Sequence, residues 1–349
     1  LFIPNCLATA VGSFPHLNVK DAVERVFESV PFIPAWPQLP KRNIRENMYT
    51  QFSSGMPCFK IDEEEERVYF HIDDSFESQL EEFYTAIIED DLDYFAITEE
   101  YAAGLHHFLN HPFPEEALFV KGQLTGPISF GLTVTDQGRR SVIYRPDIFE
   151  VVVKTLVMKA RWQVRQLKKL CDKVMLFIDE PYLSGFGSAF INITYEEVVQ
   201  HLSEVIEAAQ SEGAMVGLHC CGNTDWSMVM ETPVDILNFD AYEYSKGMTL
   251  YPVELKKFLE KKGILAWGIV PSATGLGTTK ELHKILIERI DKIASRGIDK
   301  RLMLEQCLLT SSCGMGSQTV EKADRVMELL WSLSRVMRGE YFTGGVNYV

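Results

Sequence analysis

The chain contains no apolar run approaching the ~18 residues that a membrane-crossing helix needs, and no cluster of lysine and arginine. Its 49 acidic residues outnumber its 34 basic ones, for a net charge of −15. That balance argues against nucleic acid or an anionic membrane surface as a partner. The first residues, Leu1-Phe2-Ile3-Pro4-Asn5-Cys6, lack the basic stretch and long apolar core of a secretory leader. Cysteines are few: seven, an odd number at irregular spacing, which argues against a disulfide framework. Reduced thiols or metal ligands fit better, and with them a cytoplasmic location. There is no internal repeat, no low-complexity tract and no interdomain linker.

What is present is a long chain, 349 residues and 46% hydrophobic, able to bury a large core. Short apolar runs alternate with helix-like stretches. The runs read as strands at 8–14, 94–98, 118–122, 174–178, 215–219, 236–239, 264–268 and 302–304. Helical spacing of apolar residues begins at Val19, and further helices are predicted over roughly 148–171, 195–212, 251–262, 279–296 and 318–338. Nearly continuous apolar strands are the mark of parallel strands buried on both faces. Eight β/α alternations predict an α/β fold, a (β/α)8 TIM barrel forming one domain over residues 1–349. The stretch 31–92 fits poorly, with four prolines between 31 and 40 and an acidic run Asp62-Glu63-Glu64-Glu65-Glu66. It is expected to be an insertion after strand 1 holding a small hairpin, with the acidic run as a solvated face or turn.

In such barrels the reactive groups gather at the C-terminal ends of the strands. There the sequence puts Gly12-Ser13-Phe14-Pro15, Gln123-Leu124-Thr125-Gly126-Pro127, Asp179-Glu180-Pro181, His219-Cys220-Cys221, Glu243 and Ser311-Ser312-Cys313-Gly314-Met315. Strand alternation turns His219 and Cys221 to one face and Cys220 to the other. His219, Cys221, Glu243 and Cys313 offer one nitrogen, one carboxylate and two sulfurs, a set suited to zinc. Two thiolates and a carboxylate make such a centre electron-rich, a poor generator of hydroxide but suited to holding a substrate thiol as thiolate. The chemistry this points to is thiol activation for alkyl transfer.

Plainer readings exist for each piece. A His-x-Cys pair on an apolar strand often simply packs in the core. Cys220 is expected to pack outward, and Cys307 to be a buried small hydrophobe. Glu243 could be a rim ion-pair partner, and Asp179-Glu180-Pro181 a turn that caps the next segment. His106 and His107 are expected at the core edge or in solvent.

Read in order, Val11-Gly12-Ser13-Phe14-Pro15, Leu124-Thr125-Gly126-Pro127, Ile178-Asp179-Glu180-Pro181, His219-Cys220-Cys221, Glu243 at 22 residues beyond Cys221, and Cys313-Gly314-Met315 resemble the motifs of the C-terminal catalytic barrel of cobalamin-independent methionine synthase. The wider superfamily includes uroporphyrinogen decarboxylase and corrinoid-dependent methyltransferases. The resemblance implies that His219, Cys221, Glu243 and Cys313 bind zinc. It implies that Val11, Gly12 and Ser13 hold the carboxylate of an amino-acid thiol, and that Asp179 pairs with its ammonium group. The family's thiol is homocysteine and its product methionine.

Three departures shape the expectation. The family's methylfolate-binding N-terminal half has no counterpart in this length. The family's proton-donating histidine after strand 7 is missing from Trp267-Gly268-Ile269-Val270-Pro271-Ser272. A further family glutamate has no match around Trp36–Arg42, where Glu46, Glu99 or Glu100 are the nearest substitutes. A methylfolate nitrogen leaves only when protonated, whereas a methyl leaving cobalt needs no acid. The expectation is therefore a short zinc enzyme that takes methyl from a methylcorrinoid, carried by a partner protein, and gives it to a thiol. The rival acceptor is a coenzyme M-type sulfonate thiol, held by Arg42, Arg45 or Lys121. The rival activities are a metal-free tetrapyrrole decarboxylase and a non-enzymatic carrier.

Overall fold

A computed structural model describes residues 2–189, 191–273 and 275–342. In chain order the elements are β1 (Leu7–Ala8), α1 (Val19–Ser29), β2 (Phe59–Asp62), β3 (Arg67–Phe70), α2 (Phe76–Ile88), α3 (Ala103–Asn110), β4 (Val120–Thr125), α4 (Pro127–Thr133) and β5 (Thr135–Asp136). Then follow α5 (Pro146–Leu167), β6 (Val174–Asp179), α6 (Tyr195–Ser211), β7 (Met215–Cys220), α7 (Trp226–Glu231), β8 (Ile236–Phe239), α8 (Ser245–Met248) and α9 (Pro252–Glu260). Last are β9 (Ile264–Val270), α10 (Thr279–Ala294), α11 (Lys300–Glu305), β10 (Cys307–Ser311) and α12 (Val320–Tyr341). Seven of the strands form one curled parallel sheet in the order β1-β10-β9-β8-β7-β6-β4.

Both faces of this sheet are buried, and alternation divides them. On β6, Val174, Leu176 and Ile178 belong to the large cluster shared with the helices, while Met175 and Phe177 join Leu7, Ile33, Phe119, Ile236, Ile264, Ala266 and Leu308 in a second, smaller cluster on the inner face. The helices begin where local chemistry tells them to. Thr194 with Glu197, and Thr278 with Glu281, form capping boxes at α6 and α10, and Pro146 opens α5.

Two predicted strands are misplaced, and the first strand, expected over 8–14, is only the two residues Leu7–Ala8. Residues 94–98 form no strand: 94 and 95 lie in a turn and 96–98 in no regular element. The gap between β1 and β4 is instead bridged by 34–38, inside the stretch read as insertion. The Lys121 N–H donates to the Pro34 carbonyl (2.8 Å) and Trp36 N–H to the Lys121 carbonyl (3.2 Å). On the other side Gln38 N–H donates to the Gly12 carbonyl (3.0 Å) and Phe14 N–H to that of Gln38 (2.8 Å). Prolines are tolerated because every N–H used belongs to a residue that is not proline. Side-chain amides lock the segment: Gln123 Nε2 donates to the Trp36 carbonyl (2.8 Å), the Trp36 indole to Gln163 Oε1 (2.8 Å), and Gln38 Nε2 to Gln51 Oε1 (2.7 Å).

The run 302–304 lies in helix α11, started by Asp299, whose carboxylate accepts the N–H groups of Arg301 and Leu302. The last strand is β10, which begins at Cys307. The expected hairpin is β2–β3, antiparallel, with Glu63–Glu66 exposed in its turn.

Candidate metal centre

β7 delivers His219 and the residue after its end, Cys221. The register of β10 against β9 shifts between Thr310 and Ser311, where Ile269 of β9 is passed over, and β10 leads on to Ser312 and Cys313. Gly268 permits this close approach, since a methyl group there would lie 2.7 Å from the Phe239 carbonyl oxygen and 3.0 Å from that of Ser311. The Ser311 hydroxyl then donates to the Cys313 carbonyl (2.8 Å). As a result the ligand atoms of His219, Cys221 and Cys313 all lie within 4.8 Å of one another, although the sequence separates them by up to 94 residues. Both thiols are free.

The donor atoms are suited to a soft divalent metal. The Cys313 S–H and His219 hold the Cys221 thiol as thiolate, with a pKa lowered to about 4, and the Cys313 thiol is pushed up in turn. His219 is buried, which opposes its charge, but Cys221 and Asp179 outweigh burial and raise its pKa. Nδ1 of His219 is 2.7 Å from Asn238 Oδ1, while Nε2 is buried without a hydrogen-bond partner. A buried imidazole nitrogen without a partner beside two sulfurs is a donor set that could hold such a metal.

Glu243 does not join them. Its side chain is exposed, and its N–H donates to Asp240 Oδ1 (2.8 Å). Asp240 is the buried carboxylate of this turn, 7% exposed, two residues beyond Asn238 at the end of β8. Burial raises its pKa to about 6, the N–H groups of Glu243 and Tyr242 pull it down, and the charges of Glu243 and Cys221 push it up. Asp240 also lies outside the His219–Cys221–Cys313 group, but it is the buried carboxylate within electrostatic reach of Cys221, and its place two residues beyond Asn238 was the signal for it in the sequence.

The other expected residues meet at the same end of the sheet. The Ser13 carbonyl accepts from Met315 N–H (2.8 Å) and its hydroxyl from Gly316 N–H (3.2 Å), so the Gly-Ser-Phe-Pro and Cys-Gly-Met motifs touch. A methyl group on Gly12 would stand 2.7 Å from Gln38 Oε1 and 2.9 Å from Gln123. The Val11 carbonyl accepts from Lys121 Nζ (2.7 Å). That lysine is fully buried, 4.3 Å above the Phe177 ring; burial drops its pKa to about 7 against the opposing pull of Asp179. Asp179 Oδ1 is buried with no partner, and burial raises its pKa to about 6 despite His219 and Lys121.

Glu180 faces the other way. Its carboxylate accepts the N–H groups of Ile128 (2.9 Å) and Ser129 (2.7 Å) and the Ser129 hydroxyl (2.6 Å), capping α4. Burial nevertheless raises its pKa to about 7. The capping reading thus holds for Glu180 and not for Asp179. Cys220 and Cys307 are buried in the outer core, and His106 and His107 sit half-buried at its edge. Lys121, Asn238, Asp240 and Tyr49, a phenol whose pKa burial raises to about 12 and which lies within electrostatic reach of Cys221, complete the neighbourhood. A lysine followed two residues on by a glutamine in β4, and an asparagine inside the otherwise apolar β8, were the legible signals for two of these.

No family model matches the chain, and no curated protein matches it. Among solved structures it is similar to a methyltransferase from Methanosarcina mazei, at 14% identity and TM-score 0.51, over 97% of this chain and 94% of that one. A B12-independent methionine synthase from Shewanella sp. W3-18-1, in complex with selenomethionine, matches at 18% identity and TM-score 0.44, over 63% of this chain and 62% of that one. This chain thus spans less than two thirds of that protein's length. At these identities the likeness is one of fold. No helix among the described residues is long and apolar enough to cross a membrane.

Proposed function

We propose that this chain is a zinc-dependent methyltransferase, a single (β/α)8 barrel whose second stave is the segment 34–38. It moves methyl from a methylcorrinoid on a partner protein to homocysteine, giving methionine, in the reducing cytoplasm. The observation that carries this is the convergence of His219, Cys221 and Cys313 around an orphaned imidazole nitrogen. These three residues would hold the zinc, with Asp240, rather than the exposed Glu243, as the carboxylate of the set. Zinc bound there supplies the acidity that keeps a substrate thiol as thiolate at neutral pH.

The remaining work belongs to the chain. Asp179 receives the substrate ammonium on its unpartnered oxygen. Val11–Ser13 lines the carboxylate end, and Lys121 fixes that segment from below through the Val11 carbonyl. Orientation of sulfur against the methyl carbon then does most of the catalysis. The methyl group leaves its bonding electrons on cobalt, so no proton is owed to the leaving group. The stretch 271–278 that follows β9 contains no histidine, which is consistent with that donor.

A sulfonate acceptor is less well supported. Arg42 is committed to the buried Glu46 (2.7 Å), and Arg45 to Glu63 and Glu100.

The test is metal analysis combined with methyl transfer from methylcobalamin to a panel of thiols. His219→Ala and Cys313→Ser are expected to lose zinc and abolish transfer. If both variants keep one zinc per chain and full activity, the proposal fails.

A further inference from the structure

Asn238 carries no role in any reading of the sequence, yet it touches three strands besides its own. It lies on β8 opposite His219 of β7. Its Nδ2 donates to the Ala266 carbonyl of β9 (2.9 Å) and to the Thr310 hydroxyl of β10 (2.9 Å). Its Oδ1 faces His219 Nδ1 at 2.7 Å. All of these groups are buried, so each must be satisfied within the protein.

The orientation of the amide follows from what each neighbour is able to do. A peptide carbonyl only accepts, so the Ala266 oxygen requires the NH2 end of Asn238. Rotating the amide would set Oδ1 against that oxygen and Nδ2 against the ring nitrogen. With the NH2 end committed, Oδ1 has only lone pairs to offer His219. Nδ1 must therefore carry the hydrogen, and the lone pair of the neutral ring sits on Nε2, the nitrogen left without a partner.

We propose that Asn238 is a positioning residue for the metal centre: through Ala266 and Thr310 it fixes the Nδ1–H tautomer and the ring plane of His219, so that Nε2 is presented ready for metal. This rests on the zinc reading above and adds to it the residue that prepares the ligand. An outer partner of this kind holds ring orientation and ligand basicity together, and its loss typically weakens metal affinity by about 10–100-fold.

The first measurement needs no variant at Asn238. Long-range 1H–15N spectra of the metal-free full chain at alkaline pH, where the ring is neutral, report the tautomer of each histidine, and His219→Gln identifies the signal. The Nδ1–H form is expected; the Nε2–H form overturns the proposal. Next, zinc affinity is measured by competition with a chromophoric chelator for the wild type, Asn238→Leu and Asn238→Asp, with folding followed by circular dichroism. Leucine, which removes the acceptor, should weaken zinc binding about 10–100-fold, and aspartate, which keeps the acceptor but gives up the NH2 hydrogens that Ala266 and Thr310 receive, should recover only part of the loss. A leucine variant that folds and binds zinc as tightly as the wild type overturns the role of Asn238. A wild type that takes up no zinc overturns the metal reading instead. If the leucine variant fails to fold, the tautomer measurement decides.

Discussion

Replacing Asp179 by asparagine removes the charge of a buried carboxylate that, in the proposed site, would receive the ammonium group of an amino-acid thiol. Oδ1 of this residue is sealed from solvent and makes no hydrogen bond, and burial lifts its pKa from 3.8 to about 6. That rise corresponds to about 3 kcal/mol of disfavoured charge. On the proposed reading an arriving ammonium group would offset that cost by pairing with the carboxylate. A neutral amide at this position has no charge to pair, so homocysteine should bind roughly a hundredfold more weakly to the Asp179→Asn variant. The assay is KM for homocysteine beside KM for a thiol that lacks an amino group, with methylcobalamin as donor and zinc content as control. Only the first KM should rise, and zinc should stay bound. In the wild type the homocysteine KM should also climb as pH falls through about 6, because the carboxylate must be ionised to hold the ammonium; the variant should show no such limb. An unchanged homocysteine KM refutes the ammonium contact. Equal rises for both thiols refute it too, since they would report a distorted site.

Other consequences follow from the same groups. Burial holds the pKa of Lys121 down to about 7, so between there and the normal lysine range the unfolded chain binds the extra proton. Wild-type stability relative to Lys121→Met should therefore rise by about 1.4 kcal/mol per pH unit above pH 7, read by urea denaturation across that window; a flat difference contradicts the buried-ammonium account. Asp240→Asn should weaken zinc binding sharply while Glu243→Gln leaves it intact, a comparison that chelator competition reads directly; the reverse ranking restores the carboxylate expected from spacing. Gly126→Ala would drive a methyl group into the Glu180 carboxylate. It should cost about 1–3 kcal/mol in thermal denaturation by displacing the cap of α4, and no loss would mean the cap is dispensable.

Local pattern carried much of this fold. The strands β6 and β7 are readable because both faces of a buried parallel strand are apolar until the strand ends, and the polar residue at the end marks the rim. The same regularity put Asp179, His219 and Cys221 at one end of the sheet from their sequence positions alone. It failed at 34–38 because a segment with prolines at 34 and 37 has no strand signature. Its place depends on which N–H groups β1 and β4 leave unpaired, and that is not encoded nearby. It failed at 302–304 because an apolar triplet serves a helix as well as a strand, and the Asp299 cap decides between them.

By itself the sequence determined the βα alternation and the order of the rim motifs, since each rests on residues close together in the chain, and it named His219, Cys221, Glu243 and Cys313 as candidate metal ligands. Tertiary structure alone decided that Cys313 meets His219 and Cys221 across the sheet, that Asp240 and not Glu243 is the buried carboxylate, and that Asn238 faces the histidine ring. These depend on how neighbouring strands satisfy one another's hydrogen bonds, a condition imposed on the folded sheet as a whole and written in no single stretch of it.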